Sequence, residues 1–138
     1  MTSYRRNYEM GGTYFFTVNL ADRRQNLLVD HAEMLRNAIQ TTKTERWFTI
    51  RAMVVLPNHL HAIWSLPAGD SDFSTRWRLI KSRFSRETGI IQPQSRSQRA
   101  KQERGIWQRR FWEHTIRNQA DYQRLEKYCW NNPVKHGY

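Results

Sequence analysis

Cysteine is nearly absent from this chain. Its 138 residues include one, Cys129, which excludes an internal disulfide and any multi-cysteine zinc site. Long apolar runs are missing too: no segment approaches the roughly 20 residues that a membrane helix needs. The start, Met1-Thr2-Ser3-Tyr4-Arg5-Arg6, has no apolar stretch behind it and does not read as a signal peptide. Acidic residues are scarce, 12 against 23 Lys and Arg. No repeat and no second domain is visible. The expectation is one cytoplasmic domain over residues 1–138, without membrane association. At 38% apolar and 13% aromatic residues, such a chain can build a real core.

What is present is positive charge, +11 at pH 7, and it is unevenly placed. Residues 76–110 hold eleven basic and two acidic side chains, a local +9. Trp77, Phe84, Trp107, Phe111 and Trp112 are interleaved with them. Basic groups neutralise phosphates and aromatic rings stack on unpaired bases, so nucleic acid is the expected partner. The competing readings are a solvated helix face or an anionic membrane surface. Arg76, Arg78, Lys81, Arg83, Arg109 and Arg110 are the candidate contacts.

Periodicity supplies the elements. Residues 1–12 read as a basic arm. Residues 13–20 alternate, with Tyr14, Phe16, Val18 and Leu20 on one face and Phe15, Thr17 and Asn19 on the other, which predicts a strand. Asp30 and Glu33 resemble a capping box opening a helix whose Leu35, Ala38, Ile39 and Thr42 share a face. Residues 48–56 and 58–66 read as strands joined by a short antiparallel turn at Pro57-Asn58. Phe73, Trp77, Ile80 and Phe84 form a helical apolar stripe, with Arg76, Arg78, Lys81, Arg83 and Arg86 mostly off it and Gly89 as the stop. Residues 90–105 read as a mobile basic loop suited to ordering on a phosphate backbone. A last strand lies within residues 107–117. Asn118 and Asp121 then start a final helix, which Asn132-Pro133 is expected to end. This order predicts an α+β fold: a ferredoxin-like βαββαβ antiparallel sheet with an appended C-terminal helix.

The most informative motif is His59-Leu60-His61. Strand side chains alternate, so both imidazoles project to one face while Leu60, Ala62 and Trp64 project to the other. Two neighbouring imidazoles on a rigid strand make half of a divalent-metal site, or simply a solvated, hydrogen-bonded pair. The internal helices are expected to cover the opposite face, leaving the histidines beneath the final helix. On that helix Tyr122, Leu125 and Cys129 form the apolar stripe. Tyr128 and Asn132, one turn apart, flank it. An amide oxygen at Asn132 suits a third ligand position and the Tyr128 hydroxyl suits attack on a phosphate. Equally, a tyrosine beside a core stripe can simply pack, and an asparagine before proline can simply cap.

Taken together, the motifs resemble the single-tyrosine transposases with a His-hydrophobic-His signature, and specifically the REP-associated tyrosine transposases. The matching runs are Tyr4-Arg5-Arg6, Gly11-Gly12-Thr13-Tyr14-Phe15-Phe16-Thr17, Asp22-Arg23-Arg24, and Val54-Val55-Leu56-Pro57-Asn58-His59-Leu60-His61-Ala62-Ile63-Trp64. Further along come Ile80-Lys81-Ser82-Arg83-Phe84 and Trp107-Gln108-Arg109-Arg110-Phe111-Trp112-Glu113-His114-Thr115-Ile116-Arg117. Asp121-Tyr122 and the run from Tyr128 through Asn131-Asn132-Pro133-Val134-Lys135-His136-Gly137 complete the set.

The resemblance implies a transposase that nicks and joins single-stranded DNA at hairpin-forming palindromic repeats. It implies His59 and His61 as ligands of Mg²⁺ or Mn²⁺, Asn132 as the third ligand, and Tyr128 as the nucleophile forming a 5′-phosphotyrosine link. Tyr122 and Tyr138 are the rival tyrosines. Tyr4, Arg5 and Arg6 would grip the foot of the hairpin. A nucleoid-associated monomer or homodimer is the expected state. The alternative is a non-catalytic protein binding hairpin DNA or structured RNA.

Overall fold

The computed structural model describes residues 11–91, 96 and 105–135, with the backbone alone for 132–135. Strand β1 (Thr13–Asn19) leads through a single-turn helix α1 (Leu27–Asp30) into α2 (Ala32–Glu45). Strands β2 (Thr49–Leu56) and β3 (His59–Ser65) follow, then α3 (Phe73–Thr88), β4 (Trp112–Thr115) and α4 (Gln119–Lys135). The strands form one antiparallel sheet in the order β2-β3-β1-β4. This is the expected ferredoxin-like α+β arrangement with its C-terminal helix.

Alternation sorts the strand side chains into two layers. Tyr14, Phe16 and Val18 of β1 and Leu60, Ala62 and Trp64 of β3 join Leu35, Ala38, Ile39, Phe73, Trp77, Ile80 and Phe84 in the main core under α2 and α3. The Trp64 and Trp77 rings stack at 4.2 Å. Phe15, Ala52 and Ile63 point the other way and meet Leu125 and Cys129 of α4, which packs against β2 and β3. Helix α3 is bounded as its sequence suggests: Asp72 Oδ1 accepts from the Thr75 backbone N–H at 3.0 Å, and Gly89 closes it at φ 70°, a conformation that glycine adopts without Cβ strain.

Two expected boundaries move. Asp30 does not open a helix; it ends α1, and α2 follows His31 without a side-chain cap. The extra turn buries Leu28. Its backbone also supplies the acceptor for the next turn, Leu35 N–H bonding the His31 carbonyl at 3.1 Å, so no capping box is needed. Helix α4 does not stop at Asn132-Pro133 but runs to Lys135. The restriction on a residue before proline is a bias, which a helix already propagating can override.

The basic segment also differs from expectation. Arg76 is 2% exposed. It donates to both Asp70 carboxylate oxygens at 2.8 and 3.1 Å and to the carbonyls of Arg46, Trp47 and Asp72. All its donors serve the fold, pinning the start of α3 to the α2–β2 connection, so it is no candidate for phosphate. Arg83 donates to Thr42 and Glu45 of α2, and Lys81 to the carbonyls of Gln108 and Arg109. Of the interleaved aromatics, Trp77, Phe84 and Trp107 are core and Phe111 packs against it. Trp112 is exposed.

Candidate functional site

The Pro57-Asn58 turn is the tightest link between two antiparallel strands, and it sets Leu56 opposite His59. On its other side β3 pairs with β1, so Thr17 lies across from His61 and Asn19 across from His59. The histidine rings are 5.0 Å apart. Thr17 Oγ1 is 2.9 Å from His61 Nδ1, and Asn58 Oδ1 is 2.6 Å from His59 Nδ1. Phe15 stacks against His61 at 5.5 Å. His61 is almost fully buried.

Helix α4 delivers the tyrosine. Leu125 and Cys129 anchor it to the sheet, and Tyr128 stands on the exposed flank of that stripe, 44% accessible. Its ring lies 5.1 Å from His61 and 6.0 Å from Phe15, edge-on to both. The rival Tyr122 is half-buried against the smaller core, and its hydroxyl faces Glu126 at 3.4 Å. Burial first and the Glu126 charge second push the Tyr122 phenol above its ordinary value, which disfavours the phenolate. Burial also raises the Cys129 thiol to about 11, so it stays protonated beside the site. Tyr138, and the arm residues Tyr4, Arg5 and Arg6, lie outside the described residues, as does most of the 90–105 loop. Asn132 is one helical turn beyond Tyr128; its side chain is outside the described residues.

Trp112 and His114 extend the same face along β4. Their rings are parallel, 12° apart at 5.9 Å, and Phe15 meets Trp112 edge-on at 5.9 Å. His114 Nε2 donates to Asp121 Oδ2 at 2.7 Å. That bond comes first, and the bond from Arg124 adds to it, in holding the Asp121 carboxyl below the ordinary range. Exposed Arg109 and Arg110 precede this strand. Arg78 is exposed on α3, on the layer opposite the histidines. A groove of about 340 Å³ lined by Met34, Thr41, Arg83, Arg86 and Glu87 lies between α2 and α3 and shares no residue with the histidine site.

The donor chemistry suits a divalent ion in one respect: both Nδ1 atoms already face oxygens, which directs coordination to Nε2. Among the described residues, no group of three or more His, Cys, Asp or Glu side chains gathers for a metal. Sequence reasoning passed over Thr17 and Asn58 as partners of the histidines. Alternation had already put Thr17 on the histidine face, and Asn58 is the residue next to His59, so both signals were there.

A β2-β3-β1-β4 sheet with paired histidines on one face, beneath a tyrosine-bearing helix, is the framework of a single-tyrosine transposase domain. The family model described as "Transposase IS200 like" matches residues 11–132. The chain is 51% identical over all 138 residues to the REP-associated tyrosine transposase of Escherichia coli K12, covering 76% of that protein. A solved structure of the REP-associated tyrosine transposase bound to a REP hairpin superposes with a TM-score of 0.87 at 51% identity, covering 99% of this chain and 75% of that one. A Deinococcus radiodurans protein shares the fold alone, with a TM-score of 0.57 at 15% identity over 94% of this chain and 97% of its own. The chain belongs to the IS200-like transposases and, within them, to the REP-associated tyrosine transposases. Among the described residues no helix is long and apolar enough to cross a membrane.

Proposed function

We propose that this protein nicks and rejoins single-stranded DNA beside hairpin-forming palindromic repeats, with Tyr128 as nucleophile and His59, His61 and Asn132 as ligands of Mg²⁺ or Mn²⁺. The observation that carries this reading is the exposed Tyr128 ring 5.1 Å from the buried His61 ring. The similar transposase bound to a REP hairpin supports the choice of substrate. In the reaction the Tyr128 oxygen attacks phosphorus and its proton passes to solvent. The P–O3′ bond breaks, the 3′ oxygen takes up a proton, and the phosphate stays joined 5′ to tyrosine. Attack by a 3′-OH reverses these steps and joins strands without ATP. An ion held by His59, His61 and Asn132 would supply charge neutralisation to the phosphoryl transfer.

The chain's own side chains do the positioning. Phe15 buttresses both Tyr128 and His61. Trp112 presents a ring for an unpaired base beside the attacked phosphate, and Arg109 and Arg110 follow the backbone without reading bases. A stiff duplex cannot bend a phosphate into the corner between the Tyr128 flank of α4 and the histidine face, so a hairpin with a single-stranded flank is the expected substrate.

The test is incubation of a labelled hairpin carrying a 5′ flank with protein and Mn²⁺. Wild type should give a denaturation-resistant adduct. Tyr128→Phe should give none while binding the hairpin within about twofold of wild type, since it loses one hydroxyl and keeps the ring. An adduct formed by Tyr128→Phe would move the nucleophile to Tyr122 or Tyr138. Hairpin binding by wild type without any adduct would make the protein a binding module.

A further inference from the structure

Asn58 links His59 to a turn on the other side of the β2–β3 hairpin. Its Oδ1 lies 2.6 Å from His59 Nδ1. Its Nδ2 donates to the carbonyl oxygen of Arg23 at 2.5 Å. Arg23 belongs to the Asp22-Arg23-Arg24 motif, which no step above uses. That motif forms a self-held turn: Asp22 accepts from the Arg24 backbone N–H at 3.0 Å and from its guanidinium at 3.0 and 3.2 Å. The turn is tied to the hairpin by the backbone as well, Leu20 N–H bonding the Asn58 carbonyl at 2.9 Å and Leu28 N–H bonding that of Pro57 at 3.2 Å.

We propose that Asn58 is the positioning residue of His59: held by the Arg23 carbonyl, its amide fixes the imidazole in the Nδ1–H tautomer and presents Nε2 for coordination. The orientation follows from chemistry. A backbone carbonyl only accepts, so the NH₂ end of the Asn58 amide must face Arg23. The oxygen end must then face His59, and an oxygen that only accepts requires a proton on Nδ1. The lone pair is left on Nε2, where a metal needs it. Thr17 imposes no such rule on His61, because a hydroxyl can donate or accept. His59 is thus set by the protein before anything binds. The Asp22–Arg24 turn acquires a purpose as the anchor of the amide.

The inference rests on the metal reading for its consequence but not for its first test. In metal-free protein at pH 8, ¹⁵N shifts of His59 should report the Nδ1–H tautomer. Asn58→Ala should shift the population toward Nε2–H. A His59 tautomer unchanged in Asn58→Ala overturns the proposal. Calorimetric titration with Mn²⁺ should then show affinity reduced about tenfold or more in Asn58→Ala. Equal Mn²⁺ affinity in wild type and Asn58→Ala would also overturn it. Absence of Mn²⁺ binding by wild type would instead sink the metal reading, and the ¹⁵N experiment would still decide the role of Asn58. Amide ¹H–¹⁵N spectra of the variant verify the fold.

Discussion

The two faces of the sheet are built on opposite plans. One is thick: α2 and α3 lay a continuous layer of aromatic and aliphatic side chains over Tyr14, Phe16 and Trp64. The other is thin, a small apolar patch of Phe15, Ala52 and Ile63 under Leu125 and Cys129 of one helix, with imidazoles, a hydroxyl and a phenol around its rim. Both are written into the same strands at alternate positions. Stability is concentrated on one side, which frees the other to hold polar groups in half-buried positions where they can react.

That contrast can be broken from either side. The largest effect is expected on the thick face: Trp77→Ala should cost about 3–5 kcal/mol in denaturant unfolding, because it removes a fully buried ring stacked on Trp64. If the loss were under 1 kcal/mol, the aromatic layer would not be the seat of stability. On the thin face, Trp112→Ala should change unfolding by no more than about 0.5 kcal/mol. It should nonetheless weaken binding of a flanked hairpin by about 1–3 kcal/mol, with a flankless hairpin unaffected. Equal loss for both oligonucleotides would remove Trp112 from the single-strand path.

Two arginines on one helix sharpen the same point. Arg76→Ala leaves the Asp70 carboxylate and three carbonyls without their donor, and should cost about 1–3 kcal/mol of stability. Arg78→Glu, two residues on, should leave stability within about 0.5 kcal/mol and act only on DNA affinity, equally for all sequences. The smallest effect concerns acid. The hydrogen bonds from Arg76 hold the Asp70 carboxyl below its ordinary value. Its contribution is therefore complete above the unfolded value near 4 and fades as pH falls through the lowered native one. Asp70→Asn should flatten that limb of the stability–pH curve; an unchanged limb would assign it to Asp121 or Asp22.

Much of this was legible in the sequence because covalent geometry dictates it. A period of two placed His59 and His61 together and apart from Leu60, Ala62 and Trp64. A period of 3.6 placed Tyr128 on the flank of the Leu125–Cys129 stripe. What was not legible depends on partners distant along the chain. Arg76 reads as surface charge until Asp70 and the α2–β2 carbonyls surround it. Trp107 reads as a base-stacking ring until it packs against Phe84 in the core, while Trp77 and Phe84 carry both a stacking and an apolar-stripe reading that only packing decides. The false capping box at Asp30 has the same origin, since the pull of Leu28 into the core adds a turn that local preference does not foresee.

The antiparallel register of β3 against β1 has one more consequence. Thr17 faces His61 because Phe16 faces Ala62 and Val18 faces Leu60. Sliding β3 by a single residue would turn both imidazoles into the aromatic layer and put Leu60 and Ala62 in their place. A misaligned hairpin therefore does not survive as a folded but inert molecule; it forfeits its core at the same moment as its site. Assembly proofreads the placement of the histidines, and every molecule stable enough to persist carries them on the face beneath α4.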